Sequence, residues 1–294
     1  TENGWKLQTA QEKSWNAERN ALSPNPRERH DILEDRMRAI FSEPSLTRYH
    51  YRNVRHFRVG VTWEGRTITS GDAQVPLALR VADGPDVYAE VAARTRDDSR
   101  MQAHANDIFW VAALTTEIDE VVAELHRSRQ MVGKYDQLRA QGKITKEESA
   151  SLSAEKTDAM RLEDRLRDRL ERALANGRGF FRGVSKDGAA LGQRLSEILK
   201  ALFDHAVPDL YPRLDMAPRS LKGAESDDIL RAANLNGLSK VFYGPPDGVE
   251  LVVKEGARHV VNLNAPIVKE VAGYLAAEHA YGNKVTGRAL ESKF

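Results

Sequence analysis

The chain has 294 residues, long enough for two or three modest domains with buried cores. Its 44 basic and 43 acidic residues leave a net charge of +1, which gives no long-range field to hold nucleic acid, and the lack of Cys rules out disulfides and thiolate metal sites. No window approaches 18 consecutive apolar residues, and no basic stretch followed by an apolar run opens the chain, so the expectation is a cytoplasmic protein with no membrane partner. Arg outnumbers Lys by about two to one, and the evenly interleaved acids favour a GC-rich genome or carboxylate pairing over scattered phosphate contacts.

Residues 9–22 read as a helix, with Thr9 and Glu12 spaced as a capping box and Trp15 and Leu22 on its apolar side. Pro24 and Pro26 stop it, and a second helix over 26–42 carries Ile32, Leu33, Met37, Ile40 and Phe41 on one face. The period then changes to two. Phe57, Val59, Val61 and Trp63 alternate with His56, Arg58, Gly60 and Thr62, Glu64-Gly65 turns the chain, and Thr67–Thr69 return as a hairpin. Residues 75–81 form a third strand, and 107–114 a fourth that is apolar enough to be buried on both faces. Between them, 83–105 shows no clear period and is expected to be a long surface loop.

From Thr115 the helical period returns through Ile118, Val121, Leu125, Val132, Tyr135 and Leu138, ending at Gly142. Thr145 and Glu148 repeat the capping-box spacing, and Leu162, Leu166, Leu170 and Leu174 follow at intervals of four. The short reversal at 141–143 predicts an antiparallel helical hairpin over about 115–178, with a charged second arm that packs along one narrow seam. A strand over 179–184 and a helix over 191–203 follow, and Pro208 and Pro212 mark a boundary. Beyond it come a helix over 227–233, a strand or wing over 248–253, a helix over 266–278 and a last helix from Thr286.

The fold class expected is α+β: a small mixed sheet with packed helices, a long antiparallel helical hairpin inserted into it, and a mostly helical, winged-helix-like C-terminal unit. The expected domains are an N-terminal helical segment at 1–48, an α/β domain at 49–210 holding the hairpin insertion, and a small helical domain at 211–294.

No phosphate loop is present. The Gly-bounded stretches 183–188 and 282–287 lack the Lys-Ser/Thr that reaches phosphate and metal, and there is neither a GxGxxG nor a GxSxG sequence. No His pair has the i, i+4 spacing of a helical zinc site; His104 with Asp107, and His50 with His56, could meet by folding, but ligation needs a converging third group. Asp247, Glu250 and Lys254 do not keep the spacing of a nuclease metal site. Phe57, Trp63, Phe109, Trp110, Phe180 and Phe181 could stack on bases with Arg55, Arg58 and Arg66 beside them, although packing in a sheet core is the more frequent use of such residues. No catalytic, cofactor-binding or metal residue is therefore assigned.

Three stretches taken in order carry a family resemblance. They are Gly4-Trp5-Lys6-Leu7-Gln8-Thr9 leading into Glu12 and Glu18-Arg19-Asn20; His56-Phe57-Arg58-Val59-Gly60-Val61 with Gly65; and Ala265-Pro266 followed by residues 281–294 with Val285-Thr286-Gly287. Together they resemble the BREX phage-resistance P-loop ATPases (BrxC/PglY). The resemblance implies an internal or C-terminal-half piece of a much longer cytosolic ATPase, whose ATP- and Mg-binding residues lie elsewhere. The chain would then be a non-catalytic region serving assembly and coupling of ATP hydrolysis to phage exclusion, with other BREX components as partners and the hairpin as a protruding contact arm. The alternative is a DNA-binding module, acting through the C-terminal unit or the Arg-bearing sheet.

Overall fold

The computed structural model describes residues 9–52, 55–69, 73–216, 222–244 and 248–294. Gly4 to Gln8, which open the first stretch of the family resemblance, lie outside them, as does Asp247. The chain divides into two units, one of Thr1–Tyr49 with Arg58–Ala206 and one of His50–Phe57 with Val207–Phe294. The fold is α+β.

Helices α1 (Ala10–Asn20), α2 (Pro26–Ile40) and the single turn α3 (Pro44–Thr47) lead into strands β1 (Arg48–Tyr51), β2 (Arg55–Trp63), β3 (Arg66–Thr67) and β4 (Val75–Ala82). The α1 and α2 caps are both capping boxes, Thr9 with Glu12 and Asn25 with Glu28. In β2 the period of two is expressed directly: Phe57, Val59, Val61 and Trp63 are buried while Arg58 is exposed. Strand β3 returns antiparallel to β2, and β4 then pairs with β2 in parallel. Thr69 helps this return, because its hydroxyl accepts from Val61 N at 2.8 Å and donates to Val59 O at 3.3 Å.

Next come α4 (Pro85–Asp98), a 3-10 turn at Gln102–His104 and β5 (Ile108–Ala113). The stretch 83–105, expected as a loop, is thus mostly helix. Strands β4 and β5 are parallel, so their connection must cross over, and a helix packed on the sheet makes that crossing. Its inward residues are Ala92 and Thr95, with Tyr88 and Val91 beside them. Ala and Thr contrast too weakly with their neighbours to register as an apolar stripe. Strand β5 is buried from Ile108 through Ala112, as a strand covered on both faces requires.

Helices α5 (Thr116–Ala140) and α6 (Lys146–Ala175) form the antiparallel hairpin, and the chain re-enters the sheet through β6 (Arg178–Phe181) and β7 (Val184–Asp187). The sheet has seven strands in the order β1-β2-β4-β5-β6-β7, with β3 beside β2. The second arm was expected to pack along one narrow seam; α1 and α2 lie against the hairpin as well. The reason is the width of the buried face of α5, which takes in Ile118, Val121, Val122, Leu125, His126, Ser128, Met131 and Tyr135. One partner helix cannot cover that width. Trp15 closes the cluster of Met131, Tyr135 and Leu152. Thr145 and Glu148 form the α6 capping box. Thr145→Ala should therefore cost about 1 kcal/mol, read as a lower urea midpoint at unchanged slope. An unchanged midpoint would remove the cap from this account.

After the turn α7 (Gly188–Leu191) comes α8 (Leu195–Leu210). Pro208, expected to mark a boundary, lies inside this helix, and the two units divide beside it, between Ala206 and Val207. The second unit contains α9 (Gly223–Arg231), a 3-10 turn at Lys240–Phe242, the hairpin of β8 (Val252–Glu255) and β9 (Arg258–Val261), and then α10 (Pro266–Ala280) and α11 (Gly287–Lys293). Its core is Val241, Phe242 and Val252. Among the described residues only α9 and a 3-10 turn stand between residue 222 and the β8–β9 hairpin, and the two longer-range helices α10 and α11 follow it. A helix, a wing and two further helices is the order of elements expected for this unit.

Candidate functional site

The ionisable groups of the first unit gather where helices meet. At the centre is Glu155, only 5% exposed, on the face of α6 that meets α1 and α5. Its Oε1 accepts from Ser128 Oγ at 2.6 Å and Arg19 Nε at 2.9 Å, and its Oε2 accepts from Trp15 Nε1 at 3.2 Å. Arg19 also reaches Glu124 at 2.7 Å. Burial pushes the Glu155 carboxyl up, but the hydrogen bonds from Ser128, Arg19 and Trp15 outweigh it and hold the group below the usual carboxylate range. Three donors on two oxygens hold this carboxylate in its ionised form, two on Oε1 and one on Oε2.

A second carboxylate, Glu34 on α2, accepts from Arg38 Nη2 at 2.6 Å and Arg66 Nη1 at 2.7 Å, and these bonds lower its pKa. Beside it His30 stacks on Trp63 with ring centroids 4.4 Å apart. Arg29 joins α2 to Asp83 at 2.9 Å and to Asp119 at 2.8 Å, tying α2 to the β4–α4 turn and to the foot of the hairpin. Arg129 on α5 pairs with Glu163 on α6 at 2.7 Å. The hairpin is rooted in the sheet by Trp110 on β5, which is wholly buried and donates from Nε1 to Leu174 O at 2.9 Å.

Tyr135 lies within the Trp15 cluster, and its hydroxyl donates to Glu18 Oε2 at 3.0 Å. Burial first, then the Glu18 bond, push its pKa up to about 12. The neutral hydroxyl is the form the fold stabilises. Its contribution is complete below the ordinary tyrosine value of about 10 and is lost as pH rises through the folded value. Ultraviolet titration should therefore show tyrosines ionising after the exposed ones, Tyr88, Tyr135 and Tyr211 among them, and Tyr135→Phe should reduce that late step by one tyrosine. That reduction without loss of the fold is the discriminating result.

The two His pairs singled out in the sequence do meet. His104 Nδ1 is 2.7 Å from Asp107 Oδ2, and the His50 and His56 rings lie edge-to-face with centroids 4.2 Å apart. Neither gains a third ligand; among the described residues no group of three or more His, Asp or Glu is placed to hold a metal. Phe57, Trp63, Phe109, Trp110, Phe180 and Phe181 are all buried, so none presents a face for a base. Arg66 is held by Glu34, Arg55 sits over the Phe57 ring, and Arg58 is exposed. Glu250 lies in the segment before β8, which carries Lys254. The Gly-bounded stretches fall on the β6–β7 turn with β7, and on the link between α10 and α11. A polar cleft of about 550 Å³ lies beside α6 and the start of α8, lined by Glu43, Asp168, Glu171, Arg172 and Arg194 among others. Arg167 bridges Glu43 and Glu171 at its wall.

The Glu155 centre was missed from sequence, although a signal existed. Ser128 stands three residues from both Leu125 and Met131, and Glu155 three from Leu152, so each is a polar residue at a core position of its helix. Fold and site together define an α+β scaffold whose interhelical carboxylates are fixed by arginines of the chain itself. No protein-family model, no curated protein and no solved structure matches the chain.

Proposed function

We propose that this chain is a non-catalytic region of a BREX-type antiviral defence ATPase, serving assembly and the coupling of ATP hydrolysis elsewhere in the parent protein to phage exclusion. The family half of this reading rests on the sequence resemblance. The mechanical half is supported by one observation, the rooting of the α5–α6 hairpin in the central strand of the sheet through Trp110 and Leu174. The arms of 25 and 30 residues extend about 37 and 45 Å at 1.5 Å per residue. Clamped by α1 and α2, such a hairpin moves with the sheet as one lever instead of hinging on it. ATP and Mg would be held by other parts of the parent chain. Its partners would be other components of the defence system, with DNA reached directly or through that complex.

The outward face of α6 is the surface for such a partner, since Met160, Arg161, Asp164, Arg165 and Asp168 are exposed. Affinity capture of the intact parent protein from phage-challenged cells, with Met160→Glu and Arg165→Glu together against the unaltered protein, tests the reading. Loss of defence-system proteins from the variant's capture is expected. Equal recovery by both would deny α6 a part in assembly, and recovery of no defence protein by either would remove the family reading.

A further inference from the structure

We propose that the pocket between the end of α4 and the β6–β7 turn binds a phosphate group, with the guanidinium groups of Arg100 and Arg182 as its ligands. The pocket, about 480 Å³, is lined by Ser99, Arg100, Met101, Gln102, Ala105 and Arg182, and no carboxylate lines it.

The local structure brings the two arginines together. Arg182 and Gly183 form the two-residue turn between β6 and β7, whose flanking pair is Phe181 and Val184. Both have positive φ, 48° and 81°. Such a turn favours Asn, Asp or Gly at its first position, and a long side chain there is conformationally uphill. What Arg gains within the fold is a hydrogen bond from Nε to Ala105 O at 3.0 Å and a contact with the Phe181 ring at 5.0 Å. These fix the plane of the guanidinium and leave both Nη groups without a protein partner among the described residues.

Arg100 lies across the neighbouring glycine. A Cβ on Gly183 would come within 2.8 Å of Arg100 Cγ and Nε, so the absence of a side chain at 183 is what lets Arg100 cross the turn. Ser99 accepts from Gly183 N at 3.0 Å and so locks the α4 end to the turn. Arg100 reaches one carboxylate, Asp97, at 3.6 Å, and Asp97 is shared with Arg96 at 3.8 Å. Asp98 is taken by Arg80 at 2.5 Å. The patch therefore carries more cationic than anionic charge although the chain as a whole is balanced. Two guanidinium groups lining one pocket, Arg182 with both Nη groups free and Arg100 held only by its 3.6 Å ion pair with Asp97, match the oxygens of a phosphate. That chemistry is common to a free phosphate compound and to a nucleic-acid backbone.

The test uses the whole chain with two probes, inorganic phosphate followed by calorimetry and a fluorescein-labelled DNA duplex followed by anisotropy across a salt series. The variants are Arg182→Asn, which keeps a residue suited to the turn and whose fold is checked by its unfolding midpoint, and Arg100→Gln. Arg161→Gln, on the exposed face of α6, is the charge-matched control. At least one probe should bind the unaltered chain, and each pocket variant should weaken it by about tenfold while the control does not. If the duplex is the ligand, each variant should also lower the slope of log affinity against log salt by about 1. Binding of phosphate without the duplex would assign the pocket to a small phosphate compound. Failure of both probes at low salt, or equal affinity in variants and control, would overturn the proposal. Neither outcome depends on the defence-assembly reading.

Discussion

Glu155→Ala is expected to lower the unfolding free energy by about 3 to 5 kcal/mol, among the largest effects of any single polar substitution in the chain. The carboxylate joins three helices. It receives Trp15 and Arg19 from α1 and Ser128 from α5, and it is itself carried by α6. Removing it leaves the Trp15 N–H, the Ser128 hydroxyl and part of the Arg19 guanidinium buried without an acceptor, and each such group keeps its desolvation cost. Glu124 retains one end of Arg19, which limits the loss. A double variant, Glu155→Met with Arg19→Met, should recover part of the stability, because an apolar pair leaves no buried charge behind. A chevron or equilibrium urea series on the three proteins measures this directly. A single variant within 1 kcal/mol of the unaltered chain would show that the centre does not hold α1 in place.

The same centre sets an acid limb. The Glu155 carboxyl is held below its ordinary value, so its contribution is complete above the unfolded-state value of about 4.3 and is lost as pH falls through the folded value. Unaltered protein and Glu155→Ala should therefore converge in stability on acidification below about pH 4. Parallel curves down to that range would mean that the carboxylate is not the origin of the difference.

Much of the architecture is legible in the sequence because it rests on strong local contrast. The capping boxes at Thr9 and Thr145, the alternation from Phe57 to Trp63 and the uninterrupted apolar run of β5 each state their own element. The failures share a cause. Helix α4 turns Ala92 and Thr95 to the sheet, an inward side too small to stand out, while α5 shows its apolar period but adds His126 and Ser128 to a buried face wider than that period suggests. What makes those sides inward is the pairing of β4 with β5 and the packing of α1 on the hairpin, contacts between residues far apart in sequence. The polar residues Ser128 and Glu155 at core positions of their helices hint at the Glu155 centre, but the partners they meet are set by the same long-range packing. A Glu, an Arg, a Trp and a Ser drawn from three helices acquire meaning only when those helices are adjacent.

Two glycines of the hairpin test its rooting with opposite signs. Gly177 lies where α6 passes into β6, and a Cβ there would meet Trp110 Nε1 and Val111 O at 2.5 Å. Neither neighbour can retreat. Val111 O belongs to the backbone of the central strand, and Trp110 is fully buried with its Nε1 bonded to Leu174 O. Gly177→Ala should therefore cost about 3 kcal/mol, by forcing either the strand or the indole out of place. Gly133 lies on the exposed side of α5, and a Cβ there meets nothing within 4 Å. Gly133→Ala should stabilise the chain by about 0.5 to 1 kcal/mol, since only the conformational freedom of the unfolded state changes. Denaturant unfolding followed by tryptophan fluorescence reads both. A loss at Gly177 with a gain at Gly133 is the signature of a helical lever fixed at its base and regular along its length. A neutral Gly177→Ala would mean that the base yields, and with it the means by which the hairpin could transmit a movement of the sheet.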